Sequence, residues 1–350
     1  MIWVDQTLGE GLRIGMDREN VHSMVQLLSD LQIGVIDVNV KDWQTCSLPP
    51  LSILQQQQLR GKVNGSVEEM ESAYKLGFRN VIISCAPNPG EGLSHQIHAT
   101  LLAAQKLEVN HALCIENASN FSIQEIEGLW RDVSTMGVTT FIYSDGDSLL
   151  NPLSTFATLT SVAQRIPVAL EFHGHNAYGL ATGNALGAMR AGARRIATAI
   201  AGVGLQGHAA IEEMIMIQKR LLGKQSVATE KLAHSCALIV GLIGVEVPGT
   251  KAIIGQDIFT HESGIHVDGV LKNPQLYEAF SPEEVGATRK LVIGKHSGTA
   301  SLQAKFKQYN IVLSFIEAQY LLKQVRKLAV MGKKTVDDDV LWNLYQDRVV

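Results

Sequence analysis

The chain has little cysteine, no long apolar run and no block of basic residues, and each absence removes a class of function. Its four cysteines, Cys46, Cys85, Cys114 and Cys236, are far apart and show no CxxC spacing. A disulfide framework or a thiolate metal site is therefore not expected, and buried free thiols are the reading. No run of about 18 uncharged apolar residues occurs, and the N-terminus, Met1-Ile2-Trp3-Val4-Asp5, has neither the basic start nor the apolar stretch of a secretion signal. A soluble, cytoplasmic protein without a membrane partner is expected. Thirty Lys and Arg against 34 Asp and Glu give a formal charge of -4, and without basic-aromatic interleaving nucleic acid is not an expected partner. What is present is 350 residues at 46% hydrophobic and 18% charged, enough for one large domain and an appendage.

Short β-branched runs alternate with helical patterns as far as residue 222. The runs are 2–4, 35–38, 81–84, 112–115, 139–143, 168–172 and 195–198, and a weaker candidate at 59–63 makes eight. Amphipathic stretches at 18–31, 67–75, 123–134, 153–165 and 178–191 lie between them, several followed by glycine. Eight strand-helix units predict a (β/α)8 TIM barrel over residues 1–225. A doubly wound open sheet is the competitor, but no GxGxxG follows the first strand, and polar residues collect after several strands, as at a barrel mouth. Residues 226–350 read as a mostly helical appendage: a helix at 226–245, a polar segment at 256–289, then helices near 298–309, 314–331 and 336–345.

His173-Gly174-His175 closes the seventh strand, and residues i and i+2 of a strand share a face, so both imidazoles point into the mouth. Two imidazoles there form half of a divalent metal site. The carboxylate such a site needs is offered by Asp5 or Glu10, with Glu10 on a loop the freer of the two. Three glycines in Gly202 to His208 precede a helix beginning near Ala209, an arrangement that favours an anion or a carbonyl oxygen. Thr260 to Asp268 holds His261, Glu262 and His266, residue types suited to acid/base work.

These residues resemble the α-isopropylmalate/homocitrate synthase family, and among its members the homocitrate synthases associated with nitrogen fixation. The similarity is strongest in Phe259 to Asp268, Lys272 to Glu278 and Leu291 to Gly298. The resemblance implies condensation of acetyl-CoA with a 2-oxo acid, 2-oxoglutarate first, on a divalent cation (Mg, Mn or Zn) held by Glu10, His173 and His175. It implies His266 and Tyr277, eleven residues apart, as catalytic groups aided by Glu262 and presented over the barrel of another subunit, in a dimer with exchanged C-terminal segments. Candidate substrate contacts are Asp37, Ser84, Asp145, Gly204 and His208, with the Gly202–His208 loop on the acyl-CoA side. A chain ending at Val350 is also expected to lack the effector domain of leucine-regulated isopropylmalate synthases, which favours homocitrate or another short-form product.

The chain departs from the family pattern at the pocket. The arginine of the first motif, approximately D-T-T-L-R-[DE]-G-E-Q, is Gly9. Strand two ends in Asp37 and Asn39 instead of Glu and Gly, the strand-six motif D-T-x-G is Asp145-Gly146-Asp147-Ser148, and a histidine, His208, stands near the place of an asparagine. Losing one oxyanion donor typically costs about a hundred- to a thousandfold in rate. Three readings follow: Arg13, one helical turn on, supplies the missing charge; the acceptor is different; or the chain is a subunit of a heteromeric homocitrate synthase, lending His266 and Tyr277 to a homologous partner. If Gly9 and Gly146 have simply removed oxyanion and carboxylate contacts, turnover alone is expected to be slow and Gly9→Arg to raise it, whereas robust turnover would put Arg13 in the role. A carbon-carbon lyase is disfavoured by the two-part appendage.

Overall fold

The computed structural model describes residues 1–49, 53–224, 228–263, 269, 273 and 277–347, with 53–55 through their backbone. The chain folds as two compact units, Met1–Val227 with Ser235–Glu246, and Ala228–His234 with Val247–Val350. The helix expected at 226–245 spans Leu232–Gly241 and runs from one unit into the other.

In the first unit all eight expected strands form: β1 (Ile2–Asp5), β2 (Val35–Asn39), β3 (Leu59–Val63), β4 (Asn80–Cys85), β5 (Asn110–Ile115), β6 (Thr140–Asp145), β7 (Ala169–Gly174) and β8 (Arg195–Ala199). Each pairs in parallel with the next, and β8 closes on β1, so the structure is the TIM barrel and not the open sheet. The outer helices start at identifiable caps. Ser122 and Glu125 form a capping box ahead of Ile123–Val133, and Asn151 with Pro152 opens Pro152–Arg165. Gly192, at φ 105°, ends Ala181–Ala191 in the left-handed conformation that a side chain would disfavour.

Two segments differ from expectation. The stretch after β1 is a helix, Thr7–Arg13, and the helix expected near Ala209 begins at Ile211, after a two-residue strand that extends the sheet beside β8. Asp5 does not reach the mouth: it is fully buried, and one carboxylate oxygen accepts from the Leu8 N–H, 3.0 Å.

Burial pushes the Asp5 carboxyl up to about 6, against hydrogen bonds from Thr7 and Leu8 that pull it down. A carboxyl raised in the folded state favours folding most below its unfolded value, and that contribution is lost as pH rises from about 4 to about 6. Asp5→Asn is therefore expected to gain about 2–3 kcal/mol on the wild type between pH 4 and pH 7. Urea unfolding at both pH values measures it, and a constant offset between the proteins would refute it.

The second unit has its own core, built from Ile293, Leu302, Phe306, Leu321, Val325 and Leu341. It carries the helices Thr299–Lys307, Phe315–Gly332 and Asp338–Gln346, and a parallel pair of two-residue strands, Thr260–His261 with Lys290–Leu291. Among the described residues no helix is long and apolar enough to cross a membrane.

Candidate active site

The C-terminal ends of the barrel strands surround a cavity of about 300 Å³. His173 and His175 line it from β7 and the residue beyond, and His208 from the loop after β8. The three rings form a triangle with centroids 5.1, 5.2 and 5.1 Å apart. A backbone bridge between His175 and His208 and the His208 N–H bond to the Gly202 carbonyl, 3.1 Å, hold it. His173 Nε2, His175 Nδ1 and His208 Nδ1 are buried and have no hydrogen-bond partner among the described residues. Burial lowers all three pKa values and Lys62 adds to it at each, while at His175 the carboxylates of Glu116, Asp145 and Glu10 oppose it; His208 is pushed down to about 3. The rings are therefore neutral at pH 7, the form that binds metal.

Glu10 lines the same cavity from the helix Thr7–Arg13. Because that segment is helical, Glu10 and Arg13 stand three residues apart on one face, and the guanidinium bonds Glu10 Oε2 through Nε, 2.9 Å, and Nη2, 2.7 Å. Arg13 is thus occupied with the carboxylate of the expected metal set. Gly204, at φ 132°, leaves room between ring and carboxylate: a Cβ there would meet His208 Nε2 at 2.8 Å and Glu10 Cδ at 3.6 Å.

Among the described residues no group of three or more His, Cys, Asp or Glu is arranged to hold a metal ion. The donors nevertheless fit a divalent cation in kind, since neutral imidazoles with unpartnered nitrogens and a carboxylate line one cavity. Arg13 engages Glu10 through Oε2 alone, and Glu10 Oε1 is not bonded by it.

The remaining candidates divide. Asp37 lines the cavity, but both its oxygens accept from buried Arg60, 2.7 and 2.9 Å, and one also from Gln6 Nε2, 2.8 Å. Ser84 does not line the cavity but donates to Glu116, which does. Asp145 is not brought to the cavity: fully buried, it accepts from the Leu149 and Leu150 N–H groups, 2.9 and 3.0 Å, and so fixes the loop after β6. In the Gly202–His208 loop the N–H groups of Val203, Gly207 and His208 are spent on carbonyls of Ile200, Gly204 and Gly202, which leaves fewer donors for an anion than three glycines suggest. In the second unit Glu262 accepts from the His296 N–H, 2.8 Å, an occupied structural role, and Tyr277 is exposed with its ring where a Cβ on Gly269 would go. His266 lies outside the described residues.

Two charged clusters were not anticipated. Arg60, 3% exposed, is gripped by Asp37 and by Glu171, 2.6 and 2.8 Å. Lys62, two residues on, lines the cavity and meets Glu116 Oε1 at 2.6 Å. The signal was Leu59-Arg-Gly-Lys-Val63, whose alternation puts both cations on the barrel's inner side.

The altered motif positions are sterically committed. A Cβ on Gly9 would lie 2.9 Å from the Asp37 carbonyl oxygen, and one on Gly146 2.6 Å from that of Glu116. The expectation that Gly9→Arg restores activity is therefore replaced. Gly9→Ala and Gly9→Arg are both expected to destabilise by about 1–3 kcal/mol, as overpacking does, with no gain in turnover. Thermal unfolding of the two variants checks this, and an unchanged transition with faster turnover would overturn it.

An HMGL-like family profile matches residues 91–239, and a profile described as homocitrate synthase post-HMGL domain-like matches residues 253–333. 2-Isopropylmalate synthase 2 of Caldanaerobacter subterraneus subsp. tengcongensis is 38% identical over 371 residues, spanning 99% of this chain and 95% of that protein. Homocitrate synthase 1 of a Nostoc species is 38% identical over 214 residues, 61% of this chain and 57% of that protein. Among solved structures, an HMG-CoA lyase of Acinetobacter baumannii superposes with a TM-score of 0.59 at 14% identity, over 75% of this chain and 97% of that one, a likeness of fold. A protein named for isopropylmalate synthesis is matched over nearly its whole length, so length does not separate the two kinds of relative.

Proposed function

The chain belongs to the HMGL-like family of isopropylmalate and homocitrate synthases, and from that premise we propose that it condenses acetyl-CoA with a 2-oxo dicarboxylic acid, 2-oxoglutarate first, to give homocitrate. The observation that carries the acceptor is the lining of the cavity. Among the described residues lining it Val38 is the one aliphatic side chain; the others are carboxylates, amides, imidazoles, two cations and Gly9. An isopropyl group there forfeits the burial of apolar surface that would favour it, whereas a second carboxylate finds polar partners.

His173, His175 and Glu10 would hold a divalent cation, which would supply Lewis acidity toward the ketone. The neutral imidazoles of His173 and His175 offer their nitrogens without first losing a proton. Proton removal from the acetyl methyl group is assigned to His266, aided by Tyr277, on the strength of the resemblance; the same two residues carry the expectation of a dimer with exchanged segments. The new bond joins the acetyl methyl carbon to C2 of the acceptor, the ketone oxygen takes up a proton, and water releases the CoA thiol from the thioester.

Thiol release from acetyl-CoA, measured with 2-oxoglutarate, 2-oxoisovalerate and pyruvate in the presence of manganese, tests the proposal. Turnover highest with 2-oxoglutarate supports it. Preference for 2-oxoisovalerate would move the chain to isopropylmalate synthesis. Activity only after mixing with a homologous chain would make it a subunit of a heteromer.

A further inference from the structure

We infer that Lys62 is the specificity-determining residue for the acceptor, holding the distal carboxylate of the 2-oxo acid in exchange for Glu116. This rests on the acceptor class proposed above. Among the described residues three cations stand at or beneath the mouth, and Arg60 is spent. It directs Nε, Nη1 and Nη2 at Asp37 and Glu171 and does not line the cavity. Arg13 directs Nε and Nη2 at Glu10. Lys62 has one described acceptor, Glu116 Oε1 at 2.6 Å, for the three donors of an ammonium.

Position and charge agree with this role. β3 sets Lys62 level with Asn39 of β2, one pleat above Arg60, which is level with Asp37. The side chain therefore rises from the charged floor of the barrel into the cavity. Its charge is felt at all three imidazoles, since it contributes to lowering the pKa of His173, His175 and His208. Burial alone would lower the Lys62 pKa, but Glu116 and other acidic neighbours outweigh it and raise it, so the ammonium persists at neutral pH. With the 2-oxo end engaged at the imidazole and Glu10 side, where Arg13 is tied to Glu10, the anionic group left over is the second carboxylate, and Lys62, less exposed than Arg13, has donors to spare for it.

Glu116 is suited to giving way. Ser84 donates to the same oxygen that meets Lys62, and Ser144 donates to the other at 3.4 Å, so the carboxylate keeps hydroxyl partners when the ammonium turns to a ligand. The exchange replaces one carboxylate on Lys62 by another, which leaves the number of paired charges unchanged.

Equilibrium binding of 2-oxoglutarate and of 2-oxobutyrate, which lacks the second carboxylate, to wild type, Lys62→Met, Lys62→Arg and Lys62→Met/Glu116→Gln tests this. The double variant removes both charges and guards against a folding defect from a lone Glu116. Loss of a charged hydrogen bond predicts 2-oxoglutarate weakened about 10- to 100-fold in both methionine variants, 2-oxobutyrate changed less than about twofold, and partial recovery with arginine. In turnover the loss should fall on KM for 2-oxoglutarate more than on its kcat. Equal weakening of the two acids would overturn the role of Lys62 alone. Binding of neither acid to the wild type would instead remove the acceptor reading, and this inference with it.

Discussion

Replacing Arg60 with methionine is expected to lower the stability of the barrel by about 3–5 kcal/mol, the usual cost of leaving buried charge without its partner. Arg60, Asp37 and Glu171 are 3%, 5% and 1% exposed, and the guanidinium makes four hydrogen bonds to the two carboxylates. Without it two buried carboxylates are left in the barrel interior with no cation between them. The triple variant Arg60→Met/Asp37→Asn/Glu171→Gln removes the charge altogether and should recover most of the loss, because a complete buried cluster is often replaceable at little net cost. Denaturant midpoints for both variants decide the matter. A single variant as stable as the wild type would mean that the cluster holds position without contributing stability.

The same cluster shows why the fold was legible in the sequence while half of the site was not. Parallel barrel strands covered on both sides read as apolar runs, and seven of the eight did. β3 read weakly because Arg60 and Lys62 interrupt it. Those two cations are compensated by Asp37 from β2, Glu171 from β7 and Glu116 from beyond β5, partners 23, 111 and 54 residues away that no local pattern announces. The sequence put His173, His175 and Glu10 at the mouth, the histidines from a strand end and Glu10 from the segment after β1, and all three line the cavity. Arg13, one of the explanations offered for the missing arginine, stands three residues from Glu10 on the helix after β1 and pairs with it, a contact that no motif announces. Asp145 and Glu262 accept from backbone N–H groups, a use of carboxylates at motif positions that residue type alone does not reveal.

The largest effect on activity is expected from His175→Ala and His173→Ala. Each removes one of the ring nitrogens that stand unpartnered in the cavity wall, and loss of a direct ligand should exceed the roughly 10- to 100-fold that loss of an outer partner costs in metal affinity. Titration with manganese, followed by the absorption of the cobalt-substituted protein, reads this without relying on turnover. Condensation should fall in parallel. Arg13 is a weak competitor for Glu10: the pair lies on one helix with the Arg13 side chain 44% exposed, and such pairs contribute about 0–1 kcal/mol, less than a divalent ion gains from a carboxylate. Glu10→Gln should therefore weaken manganese binding even though Arg13 holds the carboxylate in the metal-free protein. His208→Asn separates the third imidazole from the other two. It should weaken binding less than either β7 variant if His208 only walls the site, and as much if its ring completes the donor set. Unchanged manganese affinity in both His173→Ala and His175→Ala would show that these imidazoles are packing groups and would withdraw the cation from the mouth of this barrel.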